Sequence, residues 1–278
     1  MRSTKHTLFT LLLLIACFAL ALGTSSTSHA GWTDRQPFVG STGDTIHFYL
    51  FSPAEVEPGR KYPLVLWLHG GLKANGVGGP NMPTDAFYQE AHQRQHPCFV
   101  LRPVAIQGEN WVSPRGAGTG SHVQPETPAP SVAVLMELLD VVLRQHPIDA
   151  GSLHVLGASM GGYGTWDVIA RYPEKFASAI PICGGGDPDK AARIKDMKIW
   201  IFHSADDNTV PVRGSQEMFQ ALMKVRGESP TVHDDDEKTV SMSADGKIRY
   251  TQFKQGGHNA WDRAMRAEEV IAWVFARP

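Results

Sequence analysis

Cysteine is scarce in this chain, with three in 278 residues, and that count predicts no disulfide framework. Charge is sparse as well, at 19% of residues, and nearly balanced at a net −2. No basic excess marks the chain for nucleic acid or an anionic membrane surface. No internal repeat or long low-complexity tract divides it. The longest apolar run, Leu8 to Leu22, falls short of the ~20 residues needed to span a bilayer. What remains is a globular composition, 42% apolar, long enough for one sizeable domain and short of two.

The first thirty residues differ from the rest. Arg2 and Lys5 precede the apolar run, and Ser28-His29-Ala30 fits the small-x-small pattern cut by a signal peptidase. Residues 1–30 are therefore expected to be a secretory signal and residues 31–278 one domain, secreted or periplasmic, with no stable membrane span. Two alternatives are a retained anchor and lipidation at Cys17, since Leu14-Ile15-Ala16-Cys17 resembles a lipobox; the apolar run continues past Cys17, which argues against cutting there. Removing the segment leaves Cys98 and Cys183 beside expected buried strands, where a free cysteine commonly acts as a small hydrophobe. Whether the two pair depends on their Cα separation, which sequence does not give.

Strand-like and helix-like runs then alternate. Strands are expected at Thr45–Phe51, Tyr62–Leu68, Phe99–Ile106, Leu153–Leu156, Phe176–Ile182, Lys198–Phe202 and Ile248–Phe253. Helical spacing marks Val132–Arg144, Met160–Tyr172, Ser215–Val225 and Ala260–Ala276. Near-continuous apolar strands alternating with helices predict an α/β fold, a mostly parallel central sheet covered on both faces. Gly108–Pro130, rich in Gly, Pro, Ser and Thr, is a long connection that could form a lid or pocket wall. Residues His233–Lys247 read as a solvated acidic loop, and Asp245-Gly246 suggests a hairpin between Thr239–Met242 and Ile248–Phe253.

Gly157-Ala158-Ser159-Met160-Gly161 directly follows the apolar strand Leu153–Leu156 and opens a helical run. This strand–turn–helix setting is what a nucleophile elbow requires, with glycines relieving the crowding around a strained serine. A serine hydroxyl needs a base, oriented by a carboxylate. Downstream stand only His203, His233 and His258. His258, in a glycine-rich loop between a strand and the last helix, is the expected base; His203 ends an apolar strand and reads as structural, and His233 as exposed. For the acid, Asp206 and Asp207 both follow a strand, and residue chemistry leaves them even. An oxyanion hole should take one N–H from Met160 and a second from the loop after Tyr62–Leu68, where His69-Gly70-Gly71-Leu72 stands. Gly71 is the expected donor, Leu72 the fallback, and His69 a loop-stabilising residue. Trp111 and Leu72 are candidates for substrate contact, with His122 and Trp166 as further wall candidates.

Together LWLHGG, GASMGGYGTW, PICGGGD, FHSADDNTVPV and GGHNAWDRA resemble the secreted esterase and predicted-peptidase branch of the α/β-hydrolases, the group of phospholipase/carboxylesterase-like and polyhydroxybutyrate-depolymerase-like enzymes. The likeness covers roughly Leu64 to Phe275. That family's acid motif usually reads His-Gly-x-x-Asp-x-x-Val-Pro; laid on this chain it selects Asp207, with Ser204 in the usual glycine's place. The resemblance implies a serine hydrolase cleaving carboxylic esters, small or polysaccharide-linked, through Ser159, His258 and Asp207, without metal or cofactor. Rival expectations are a peptidase on the same triad, a binding protein on a hydrolase scaffold, and a metal-dependent hydrolase using His92 and His96. The last pair lacks the glutamate of a zinc-protease helix and meets Pro97 at once.

Overall fold

A computed structural model of the chain describes residues 31–71, 85–112, 120–266 and 268–276. The expected export segment and the fallback donor Leu72 lie outside the described residues.

The strands β1 (Gly31–Trp32) and β2 (Gln36–Val39) both pair antiparallel with β3 (Thr45–Ser52). Next come β4 (Tyr62–Leu68), the short helices α1 (Asp85–Tyr88) and α2 (Glu90–Gln95), and β5 (Phe99–Val104). Helix α3 (Pro130–Gln145), β6 (Ile148–Ala158), α4 (Met160–Arg171), β7 (Ser178–Ile182), β8 (Lys198–Ser204) and α5 (Arg213–Arg226) follow. The chain finishes with β9 (Thr231–Asp234), β10 (Lys238–Met242), β11 (Ile248–Phe253), α6 (Ala260–Arg266) and α7 (Glu268–Phe275).

One sheet holds these strands in the order β1-β3-β5-β4-β6-β7-β8-β11-β10-β9, with β2 beside β3. The six central strands, β5 through β11, run parallel, and antiparallel strands finish both edges. Strand alternation sorts the core into two layers. Leu64, Leu66 and Leu68 of β4 point into one layer with Leu135 and Leu139 of α3, Ile169 of α4 and Leu222 of α5. Val65 and Trp67 point into the other, with Met265 of α6 and Ile271 and Val274 of α7. Burying each such side chain contributes roughly 1.5–3 kcal/mol, and the two layers together clamp the sheet. This is the expected α/β architecture.

The expected hairpin is present: Met242 faces Arg249, Gly246 adopts φ +68°, and Asp245 Oδ1 accepts from Ser243 Oγ (2.7 Å) and Lys247 N (3.0 Å). The acidic run, however, is not all loop. Thr231–Asp234 forms β9 against β10, and Asp235 Oδ1 accepts from the backbone of Glu237 and Lys238 at 2.8 Å each, which builds the turn between them. Strand β6 also begins five residues before its apolar run, because its backbone ladder to β4 starts at Ile148 opposite Tyr62. The expected last helix is described as two, α6 and α7. Helix α2 ends at its cap His96, which stacks on Phe275 with ring centroids 5.1 Å apart. Cys98 and Cys183 are both free and buried, which answers the pairing question.

Candidate active site

The carboxyl ends of β4, β6, β7, β8 and β11 form one rim of the sheet, where open α/β folds place their sites. At the end of β6 the chain turns sharply into α4 at Ser159, whose φ of +57° and ψ of −118° are strained for a residue with a side chain. The surrounding sequence makes the turn possible. A Cβ on Gly161 would lie 1.9 Å from Leu68 O, and one on Gly157 would lie 2.3 Å from Gly161 O, so both positions exclude any side chain. The Ser159 N–H donates to Ile182 O at 2.9 Å, tying the elbow to β7.

His258 arrives from the loop after β11. Its Nε2 lies 2.9 Å from Ser159 Oγ and its Nδ1 lies 2.7 Å from Asp207 Oδ2. A carboxylate only accepts, so Nδ1 carries the hydrogen, leaving Nε2 to accept from the Ser159 hydroxyl. The three side chains named from sequence are thus brought together, 51 and 99 residues apart in the chain.

Asp207 is buried, with its side chain fully covered. Burial alone would raise its pKa, but hydrogen bonds from His203, His258 and the N–H groups of Val210 and Thr209 outweigh it and hold the carboxyl well below the usual range. Oδ1 accepts from Thr209 N (2.8 Å) and Val210 N (2.9 Å); Oδ2 accepts from both imidazoles. The neighbouring aspartate points elsewhere. Asp206 accepts from Gly257 N at 2.8 Å and Gly256 N at 3.2 Å, pinning the loop that carries His258. Those two glycines have φ of +58° and +139°, which suits a tight loop held by its backbone.

Met160 is the first residue of α4, where its N–H has no preceding intrahelical acceptor and the helix end favours negative charge. Gly70 backs directly onto the elbow: a Cβ there would sit 3.3 Å from Ala158 O and 3.5 Å from Ser159 Cβ. Gly71 follows it, and among the described residues no atom lies within 4 Å of where its Cβ would be. His69 has the loop-holding part expected of it. Ala105 N donates to its Nε2 at 3.0 Å, so Nδ1 donates to Gly70 O, and burial lowers its pKa, keeping it neutral.

The aromatic wall candidates are packing residues here. Trp111, the candidate for substrate contact, is fully buried and donates from Nε1 to His69 O at 3.0 Å. Trp166, on α4 itself, is buried as well. His122 is buried between Asp167 and Asp187, and burial lowers its pKa against the pull of those carboxylates. The described end of the long connection is fastened rather than loose. His122 N donates to Gly186 O, Gln124 N to Asp187 Oδ2, and Arg171 reaches Pro125 O and Glu126 O.

Two residues make contacts that the sequence reading did not name. His203 is bonded to the candidate acid, at 3.2 Å, rather than merely ending β8. Its place four residues before Asp207, inside the motif that selected the acid, was the available signal. Cys183 closes β7 at φ +49° and donates from Sγ to His258 O, a role for which the sequence carried no signal.

Comparison with known proteins places the chain among esterases. Over 193 residues the chain is 27% identical to poly(3-hydroxyalkanoate) depolymerase C of Paucimonas lemoignei, covering 66% of this chain and 41% of that protein. Over another 193 residues it is 28% identical to S-formylglutathione hydrolase of Paracoccus denitrificans, covering 62% of this chain and 66% of that enzyme. Among solved structures, a thermostable esterase superposes with a TM-score of 0.72 at 34% identity, over 87% of this chain and 62% of that one. The chain therefore spans between about two fifths and two thirds of the length of these relatives. The esterase family profile matches residues 40–270, from just before β3 into the last helix, and on that match the chain belongs to the esterase family of the α/β-hydrolases.

Proposed function

We propose that this chain hydrolyses carboxylic esters by a Ser159–His258–Asp207 triad through an acyl-enzyme. The observation that carries the reading is the His258 imidazole, within hydrogen-bond reach of Ser159 on one side and Asp207 on the other. In the first half-reaction Ser159 Oγ attacks the carbonyl carbon while His258 Nε2 takes its proton, and buried, ionised Asp207 stabilises the imidazolium. The tetrahedral oxygen faces the N–H groups of Met160 and Gly71, two donors whose loss would each cost roughly 3–4 kcal/mol of transition-state stabilisation. Collapse expels the alcohol, which takes the proton from Nε2. Water then attacks the acyl-serine, giving its proton to Nε2, and the acid leaves as Ser159 recovers its hydrogen.

The substrate in this reading is a small-molecule or polysaccharide-linked ester, and no step calls for a metal or cofactor. Residues 1–30 act as a cleavable export signal, with residues 31–278 as a single catalytic domain that is secreted or periplasmic. The deciding experiment is Ser159→Ala assayed on p-nitrophenyl acetate. The expected loss in kcat is about 10⁴-fold or more; a variant within tenfold of the parent would overturn the mechanism.

A further inference from the structure

The carboxylate of Asp207 has two imidazoles on one oxygen, and the triad uses only one of them. His203, fully buried at the end of β8, points Nε2 at Asp207 Oδ2 (3.2 Å) and at Val210 O (3.0 Å). Both are acceptors only, so Nε2 carries a hydrogen and shares it between them. On the far side of the ring, Nδ1 meets Ser215 Oγ at 2.8 Å, and that hydroxyl lies 3.0 Å from Gly184 O. Ser215, fully buried, sits on the first turn of α5. Gly184 packs against the first turn of the nucleophile helix so closely that a Cβ there would sit 2.5 Å from Gly162 C and Tyr163 N.

These contacts close a ring. From Ser159 the path runs through His258, Asp207, His203 and Ser215 to Gly184, and from Gly184 back to α4, the helix that Ser159 begins. We infer that His203, braced by Ser215 against Gly184, is a positioning residue that fixes Asp207 Oδ2 relative to the nucleophile helix, so that His258 meets both partners at once. Without the second imidazole N–H, one of the donors that hold the carboxylate is lost, and the group can turn about its own bonds. Asp207 Oδ1 stays held by two backbone N–H groups, so the loss is one of aim rather than of the whole acid. Among the described residues, the other titratable groups facing this carboxylate are the Cys183 thiol and the Tyr163 phenol; burial pushes both pKa values up, to about 12 for the phenol, so neither adds a charge.

The inference rests on the triad reading, and its test separates the two. His203→Leu, His203→Gln and Ser215→Ala are compared with the parent for kcat and KM on p-nitrophenyl acetate, and for the second-order rate of fluorophosphonate labelling at Ser159. Leucine should lower kcat by about 30–100-fold with KM changed less than about threefold, and slow labelling in proportion, because only transition-state alignment is lost. Glutamine, whose amide N–H can still reach Oδ2, should recover about a third or more of the lost factor on the logarithmic scale. Ser215→Ala should lower kcat by about 3–10-fold. A folded leucine variant near parental kcat, a loss lying in KM, or glutamine no better than leucine would overturn the positioning role. Should leucine fail to fold, a folded Ser215→Ala enzyme with parental kcat and labelling rate would overturn it instead. If the parent cleaves no ester yet its Ser159 labelling depends on His203 as described, the positioning stands and the ester reading falls.

Discussion

The adjacent aspartates make a sharp experiment, because the structure gives them different tasks one peptide bond apart. Asp206→Ala removes a carboxylate that holds the His258 loop by two backbone bonds, at 2.8 and 3.2 Å, in an exposed position. Hydrogen bonds to a charged acceptor contribute about 1.5–3 kcal/mol when sheltered, and less when water competes. For this pair a net bias of about 1–2 kcal/mol toward the aligned loop is reasonable, and a tenfold rate change corresponds to about 1.4 kcal/mol. Asp206→Ala should therefore lower kcat/KM by roughly 5–30-fold, and Asp206→Asn by less, since one amide oxygen still accepts. Asp207→Asn is expected to cost about 10⁴-fold in kcat, because it cannot hold the same histidine tautomer. The assay is kcat/KM on p-nitrophenyl acetate with the thermal midpoint measured alongside. Equal losses at the two positions, or an unaffected Asp206→Ala enzyme, would refute the division of labour.

Other outcomes concern stability. Ser204 places a buried hydroxyl, with no hydrogen-bond partner among the described residues, beside Gly256, so Ser204→Ala should stabilise the fold by roughly 1 kcal/mol and raise Tm by about 2–4 °C; a fall in Tm by calorimetry would contradict this. His154 is buried, and desolvation, with Lys198 nearby, lowers its pKa to about 3. The folded chain keeps this imidazole neutral while the unfolded chain protonates it below its ordinary 6.5, so stability should decline as pH falls from about 6.5 toward 3. His154→Leu should flatten that decline in denaturant titrations; an unchanged slope would refute the assignment.

How much of this was legible in the sequence depends on the range of the forces involved. The elbow at Ser159 could be read directly, since an apolar strand, closely spaced glycines and a helical run are all local. Strands Tyr62–Leu68 and Ile248–Phe253 were likewise bounded correctly by their own side chains. The short strand at 153–156 was underestimated, because its polar first half is held by β4 rather than by its own composition. Trp111 illustrates the opposite failure: an aromatic residue in a loop gives no sign of whether it meets a substrate or a carbonyl such as His69 O.

By itself the sequence determined the class of fold and the sharp strand–turn–helix elbow at Ser159, because periodicity and turn chemistry act over a few residues. Only the tertiary structure decided that Asp207 faces His258 while Asp206 clasps the loop, and that His203 leans on the same carboxylate. Neighbouring side chains leave a turn in different directions, and their partners come from strands and loops that meet only when the sheet has formed.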